Sequence, residues 1–222
     1  DDQLGGKLTF SRQVPFKRDL CKFMDYLIHM VDKTGVEVRL NTEATPQLVQ
    51  SLKPDVVIAA TGAQAVIPPI PGVDGSNVII AEECYRRALA GEELGDRVVV
   101  LGGGDVGCEP AVYLAMELGK KVILVEMLDE IAKEAPNIPK KALVEHMDKY
   151  VEYHVNARCT GITGAGITYV DGDGLEHKIE AETVVLAAGM TPRNDEAESF
   201  RMIAEEFFPI GDCVTAKNVR TA

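Results

Sequence analysis

The stretch Arg97-Val98-Val99-Val100-Leu101-Gly102-Gly103-Gly104-Asp105-Val106-Gly107, closed by Lys121-Val122-Ile123-Leu124-Val125-Glu126, decides the fold. An apolar run too short for a helix but right for a buried strand leads straight into a glycine loop. The glycines at 102, 104 and 107 occupy the three fixed positions of GxGxxG. Each has its own reason: Gly102 for a tight turn, Gly104 so that backbone can approach a pyrophosphate, and Gly107 so that a helix can sit close on the strand. The helix runs through Ala111, Leu114, Ala115 and Leu118 to Gly119, and a second apolar strand ends on Glu126. Free amides and a partial positive charge at the helix start suit phosphate. Gly102, Gly103, Gly104, Asp105, Val106 and Gly107 are therefore expected to hold a dinucleotide, with the Glu126 carboxylate accepting from its adenosine ribose. The bland alternatives are a ligand-free glycine turn and a solvated strand end.

Glu126 also bears on which dinucleotide. A carboxylate against a 2′-phosphate costs of order 4 kcal/mol per contacting charge pair at an effective dielectric near 20. Met127-Leu128 brings no arginine to offset it. NAD(H) is expected over NADP(H).

Outward from this unit, helices and strands alternate, which makes the class α/β with a parallel sheet. Upstream, residues 4–15 read as irregular and Phe16–Thr34 as a helix with Leu20, Phe23, Met24, Leu27 and Val31 on one face. Val36–Leu40 alternates like a strand, 45–51 reads as a short helix, and Asp55–Ala60 as a buried strand broken by Thr61-Gly62. Ile67–Gly72, with three prolines, is a stiff linker, and a helix follows near 81–90. Downstream, 139–150 looks helical and 153–180 reads as a glycine-divided β-meander. Thr183–Gly189 then echoes 55–62 as an apolar strand ending in Ala and Gly, which adds Gly189 to the dinucleotide site.

Composition excludes several function classes. In 222 residues with a net charge of −12, no clustered Lys and Arg offer themselves to nucleic acid. Nothing resembles a membrane span or signal peptide. The five cysteines form no CxxC or CxxxxC pair, so neither a zinc site nor a redox disulfide is proposed, and a reducing cytoplasm is expected. The four histidines have no metal or triad spacing, and no serine lies in GxSxG. The chain starts at Asp1 without an initiator Met, as a piece cut from something longer would.

The order of motifs resembles the flavoprotein reductases with two dinucleotide-binding domains. Gly102-Gly103-Gly104-Asp105-Val106-Gly107-Cys108-Glu109 is similar to their NAD motif GGGxxGxE, and Ala60-Thr61-Gly62 to their ATG turn. Phe208-Pro209-Ile210-Gly211-Asp212 is similar to the late GD motif, whose Asp holds the FAD ribityl chain. Leu4-Gly5-Gly6-Lys7-Leu8, Pro15-Phe16-Lys17 and Gly211-Asp212-Cys213 further resemble the 2,4-dienoyl-CoA reductase, enoate reductase and trimethylamine dehydrogenase family. The resemblance implies a Rossmann-like NAD(H) domain at 92–190 inserted in a partial FAD domain at 1–91 and 191–222. Gly5, Gly6, Thr61, Gly62, Gly211 and Asp212 would form part of an FAD site. It also implies a missing TIM-barrel half carrying FMN and a [4Fe–4S] cluster, with electrons passing from NADH through FAD to an enoyl-type substrate. The FAD domain's own glycine fingerprint is absent from this sequence. Two residues keep a second reading: Asp212 as a helix cap, and Glu109 as a dipole-stabilising residue rather than one lining a nicotinamide pocket. An alternative for the whole unit is a module that holds ADP permanently, as in trimethylamine dehydrogenase-like relatives.

Overall fold

A computed structural model describes residues 1–14, 17–135 and 137–217. In chain order the helices are α1 (Arg18–Lys33), α2 (Pro46–Ser51), α3 (Ala81–Ala90), α4 (Asp105–Met116), α5 (Asn137–Tyr150) and α6 (Asn194–Glu198). The strands are β1 (Val56–Ala59), β2 (Ala63–Ala65), β3 (Val78–Ile80), β4 (Arg97–Leu101), β5 (Lys121–Val125) and β6 (Glu152–His154). They continue as β7 (Arg158–Thr163), β8 (Gly166–Val170), β9 (Glu176–Glu180), β10 (Thr183–Leu186), β11 (Met190–Pro192) and β12 (Glu206–Pro209). The chain divides into two compact units, one of residues 5–36 and 67–189, the other of 1–4, 37–66 and 190–222.

The larger unit is built on a five-stranded parallel sheet in the order β3-β10-β4-β5-β6. Each central strand is apolar from its second residue on because both faces are covered. Val98, Val100, Val122, Leu124 and Val185 pack with Ala111, Val112, Leu114, Leu143 and Met147 of the helical layer. Val99, Leu101, Val125, Val184 and Leu186 face the antiparallel meander β7-β8-β9 through Ile162, Ile167 and Tyr169. The period of two along β4 thus serves two different layers.

Several expectations change here. β6, expected within the meander, pairs parallel to β5 instead. Val78–Ile80 pairs with β10, so the compact unit begins upstream of residue 92 and includes residues 67–91. Residues 6–13, expected to be irregular, form a 3-10 helix in which the Thr9 hydroxyl donates to Gly6 O at 2.7 Å. Phe16, the expected helix start, lies outside the described residues. On the apolar face of α1, Met24 is buried while Phe23 and Leu27 are exposed.

The smaller unit has a parallel pair, β1 with β12, and an antiparallel pair, β2 with β11. α2 begins at Thr45, whose hydroxyl oxygen accepts from Leu48 N at 3.2 Å, and Pro46 fills the first helical position. Ala59, Ala197, Phe200 and Cys213 form its core. The strand at 55–60 was expected to be buried, yet Val56 and Ile58 are 43% and 62% exposed. Its apolar run is shielded on one face, by Val57 and Ala59, because the pair carries no second layer among the described residues. Val36–Leu40 forms no strand, since alternation alone cannot hold extended backbone without a neighbour to take its hydrogen bonds.

This contrast predicts unequal stability. Backbone amides of β4, β5 and β10 should exchange with deuterium far more slowly than those of β1 and β12, because local opening follows buried apolar contact. Equal protection of the two sets, read by mass spectrometry, would contradict it.

Candidate functional site

The glycine loop leaves the carboxyl end of β4, next to β10. The strand order reverses here, with β5 and β6 on one side and β10 and β3 on the other. Ligands of open α/β sheets bind in the crevice outside the strands' carboxyl ends at such a switch point. Gly102 has φ +112°, open to glycine, and a Cβ there would overlap the Ala187 carbonyl. A Cβ on Gly107 would overlap the Gly102 carbonyl oxygen and lie 3.1 Å from Ala187 Cβ. These two glycines are required by packing. Gly104 differs: its φ is −73°, and a Cβ there would meet nothing within 4 Å. Open space therefore faces the residue that caps α4, and no side chain caps that helix. The first-turn amides of Asp105 and Val106 have no intrahelical partner and are available to an anion. Gly189, with φ +104° and also with open space around it, follows β10 at the same edge of the sheet.

Glu126 is buried, and its carboxylate accepts from Gly103 N and, at 2.7 Å, from Leu128 N. The alternative of a solvated strand end does not hold, because the side chain buttresses the glycine loop. Each carboxylate oxygen retains acceptor capacity for a ribose hydroxyl. The carbonyl of the same residue is held too. The Gly103 carbonyl accepts from Ala132 N at 2.6 Å and from the Cys108 thiol at 3.2 Å. Burial pushes Cys108 up to about 12, so it stays a thiol and a donor. Ala132 adopts φ +49°, a left-handed conformation that a fully buried alanine tolerates only where surrounding structure imposes it. Sequence reading did not find Ala132; no local signal marks a residue whose role is a single amide at the end of a loop.

A second polar group lies on the same helix. Glu109, one turn beyond Asp105, is ion-paired to Lys17. Burial raises both carboxylates above their ordinary range, and the Lys17 ammonium opposes that rise in each. Asp105 Oδ1 is buried with no hydrogen-bond partner among the described residues, as is the Tyr85 hydroxyl. Tyr85 stacks on Phe10, ring centroids 5.4 Å apart, and lies tilted against Tyr113 at 5.3 Å.

In the smaller unit, Thr61-Gly62 follows β1, and Gly211-Asp212 follows its parallel partner β12. Ile210 N donates to Ala59 O at 2.9 Å and the Cys213 thiol to the same oxygen at 3.3 Å, which holds the two loops at one strand end. The Thr61 hydroxyl donates to Arg193 O at 3.2 Å. Gly211 has φ +69°, and Asp212 accepts weakly from Lys217 N at 3.4 Å within a 3-10 turn. Residues 218–222, where a helix following Asp212 would fall, lie outside the described set. Gly5 and Gly6 belong to the larger unit, at the start of its 3-10 helix.

His177 contacts Asp171 at 2.5 Å and stacks on Tyr169, which also stacks on His154. No cluster of three metal-ligating side chains occurs among the described residues, and no described helix is long and apolar enough to cross a membrane.

Comparison with known proteins agrees with this geometry. Residues 28–222 match the family model described as pyridine nucleotide-disulphide oxidoreductase. The chain is 37% identical over 200 residues to an NADH oxidase of Thermoanaerobacter brockii, covering 87% of this chain and 30% of that protein. It is 34% identical to a bilirubin reductase of Mediterraneibacter gnavus, over 95% of this chain and 32% of the relative. A solved 2-naphthoyl-CoA reductase superposes on the whole chain with a TM-score of 0.93 at 29% identity, and the match covers 33% of that structure. The chain thus spans about a third of the length of these relatives. The parallel sheet, its glycine loop at the switch point and these matches make the chain a member of the pyridine nucleotide-disulphide oxidoreductase family, similar to NADH oxidases and enoate-type reductases.

Proposed function

We propose that the larger unit binds NADH and passes its reducing equivalents to FAD. The observation that carries this reading is the open cradle at Gly104, with uncapped helix amides on one side and the Glu126-buttressed loop on the other. When bound, NADH supplies the hydride and flavin accepts it, chemistry that needs no protein acid or base. The chain's own residues bind and orient. The first-turn amides of α4 hold the pyrophosphate, and Glu126 accepts from the adenosine ribose. The same carboxylate repels a 2′-phosphate, which favours NADH over NADPH. Thr61, Gly62, Gly211 and Asp212, all in the smaller unit, are the residues assigned to FAD.

In the parent protein the electrons leave for a TIM-barrel half that carries FMN and a [4Fe–4S] cluster and reduces an enoyl-type substrate. The relatives' greater length and their names as reductases support that assignment. The five unpaired cysteines suit a cytoplasmic, reducing setting.

Titration calorimetry with NADH and NADPH, with and without added FAD, tests the reading. NADH should bind in the micromolar range or weaker and more tightly than NADPH, with no turnover unless flavin is supplied. Equal affinity for both, or none for either, would overturn it. A nucleotide that survives purification and is not displaced by NADH would instead identify a resident ADP.

A further inference from the structure

Lys17 breaks a local rule. It is the N-cap of α1, a position that favours Ser, Thr, Asp or Asn, and its side chain makes no capping bond. A cation there also opposes the helix dipole. Its backbone is nevertheless well held: Lys17 N donates to Val14 O at 3.0 Å, and Lys17 O accepts from Leu20 N at 3.0 Å and Cys21 N at 3.2 Å. The reason for a lysine at this fixed point is therefore tertiary, and it lies on α4.

The start of α4 carries an unfavourable charge arrangement. Asp105 and Glu109 stand four residues apart on one helix face, where like charges repel. Asp105 forms no described hydrogen bond, and its Oδ1 is buried. Glu134 adds a third negative charge within electrostatic reach of Asp105. Among the described residues, Lys17 is the cation that acts on both Asp105 and Glu109. Three carboxylates thus stand against one ammonium, beside the amides that would receive a pyrophosphate with two further negative charges.

We propose that Lys17 is a charge-balancing, positioning residue of the nucleotide site: its ammonium, seated on Glu109 and near Asp105, lets the start of α4 accept a diphosphate. This rests on the nucleotide-binding reading above. It separates two tasks within one loop. Glycines 102 and 107 shape the cradle, and a lysine distant in sequence keeps that cradle from repelling its ligand. An ion pair that merely docks Lys17 onto α4 makes a different prediction, because it gives Asp105 no part in ligand affinity.

The test uses the whole chain, with NADH and ADP as probes in calorimetry and a thermal melt as control. Lys17→Met should weaken both ligands about tenfold at low ionic strength, and less at high salt. Lys17→Arg should stay within about threefold of wild type, since the charge is kept. Adding Asp105→Asn to Lys17→Met should restore affinity to within about threefold of wild type, an effect that docking alone would not produce. Unchanged affinity in a folded Lys17→Met protein, or no restoration by Asp105→Asn, would overturn the proposal. If Lys17→Met does not fold, Asp105→Asn alone decides. It should bind ADP more tightly than wild type and with a weaker salt dependence, and unchanged binding would overturn the proposal. Failure of wild type to bind either NADH or ADP would instead remove the nucleotide reading itself.

Discussion

Gly107→Ala should unfold or severely weaken this protein, whereas Gly104→Ala, three residues earlier, should leave it folded and unable to bind NADH well. A methyl at residue 107 would sit on the Gly102 carbonyl oxygen, which is backbone and cannot rotate away. Relief requires lifting α4 from β4 and breaking the packing of Cys108, Ala111 and Val112 against the sheet. Overpacking of this kind costs about 3 kcal/mol or more. At this chain length that lowers Tm by roughly 6–12 °C. At residue 104 the backbone already lies where alanine is at ease, and the added methyl meets no protein atom. Stability should change by no more than about 0.5 kcal/mol. The methyl would occupy the space a pyrophosphate needs, so NADH affinity should fall by about thirtyfold, equivalent to roughly 2 kcal/mol. Thermal melts and NADH titrations of the two variants separate these outcomes. Two alanines with the same effect on stability would mean that the open cradle has been misread.

Glu126→Ala should cost stability and binding together. The carboxylate satisfies two backbone amides, Gly103 and Leu128, in a buried setting. Removing it strands both donors, at about 1–3 kcal/mol each before any water enters, so a net loss of about 2–4 kcal/mol is expected. Gly103 would then keep only the bonds to its carbonyl, from Ala132 and Cys108. Glu126→Gln is the informative companion. It keeps the volume and one acceptor oxygen but removes the charge and leaves one of the two amides facing an NH2 group, so stability should fall by about 1–3 kcal/mol while preference for NADH over NADPH falls about tenfold. A glutamine variant with unchanged discrimination would show that Glu126 acts on the loop alone and not on the ribose phosphate.

These two positions also mark how far the sequence could be read. Gly102 and Gly107 were legible because each serves a local geometric need within one strand–turn–helix unit, and local geometry repeats between proteins. The parallel sheet was legible for a similar reason: β4, β5 and β10 are apolar at every position after their first residue, a pattern that a sheet covered on both faces rewards. Val36–Leu40 misled because alternation describes a strand's faces but not its neighbours, and the described chain offers it none. Val56 and Ile58 misled likewise, since an apolar run states a tendency to be buried and not the presence of a covering layer.

By itself the sequence determined the α/β class, the glycine loop, the second strand ending in Glu126, and the family to which these belong. Tertiary structure decided the rest. It set Glu126 beneath Gly103 instead of at the surface, placed Ala132 against the loop's carbonyl, brought Val78–Ile80 into the sheet, and seated Lys17 on Glu109. The physical reason is range: turn and packing requirements act over a few residues and leave a pattern in the chain. Charge balance and buried hydrogen bonds join residues tens of positions apart, so they leave no local trace until the fold closes around them.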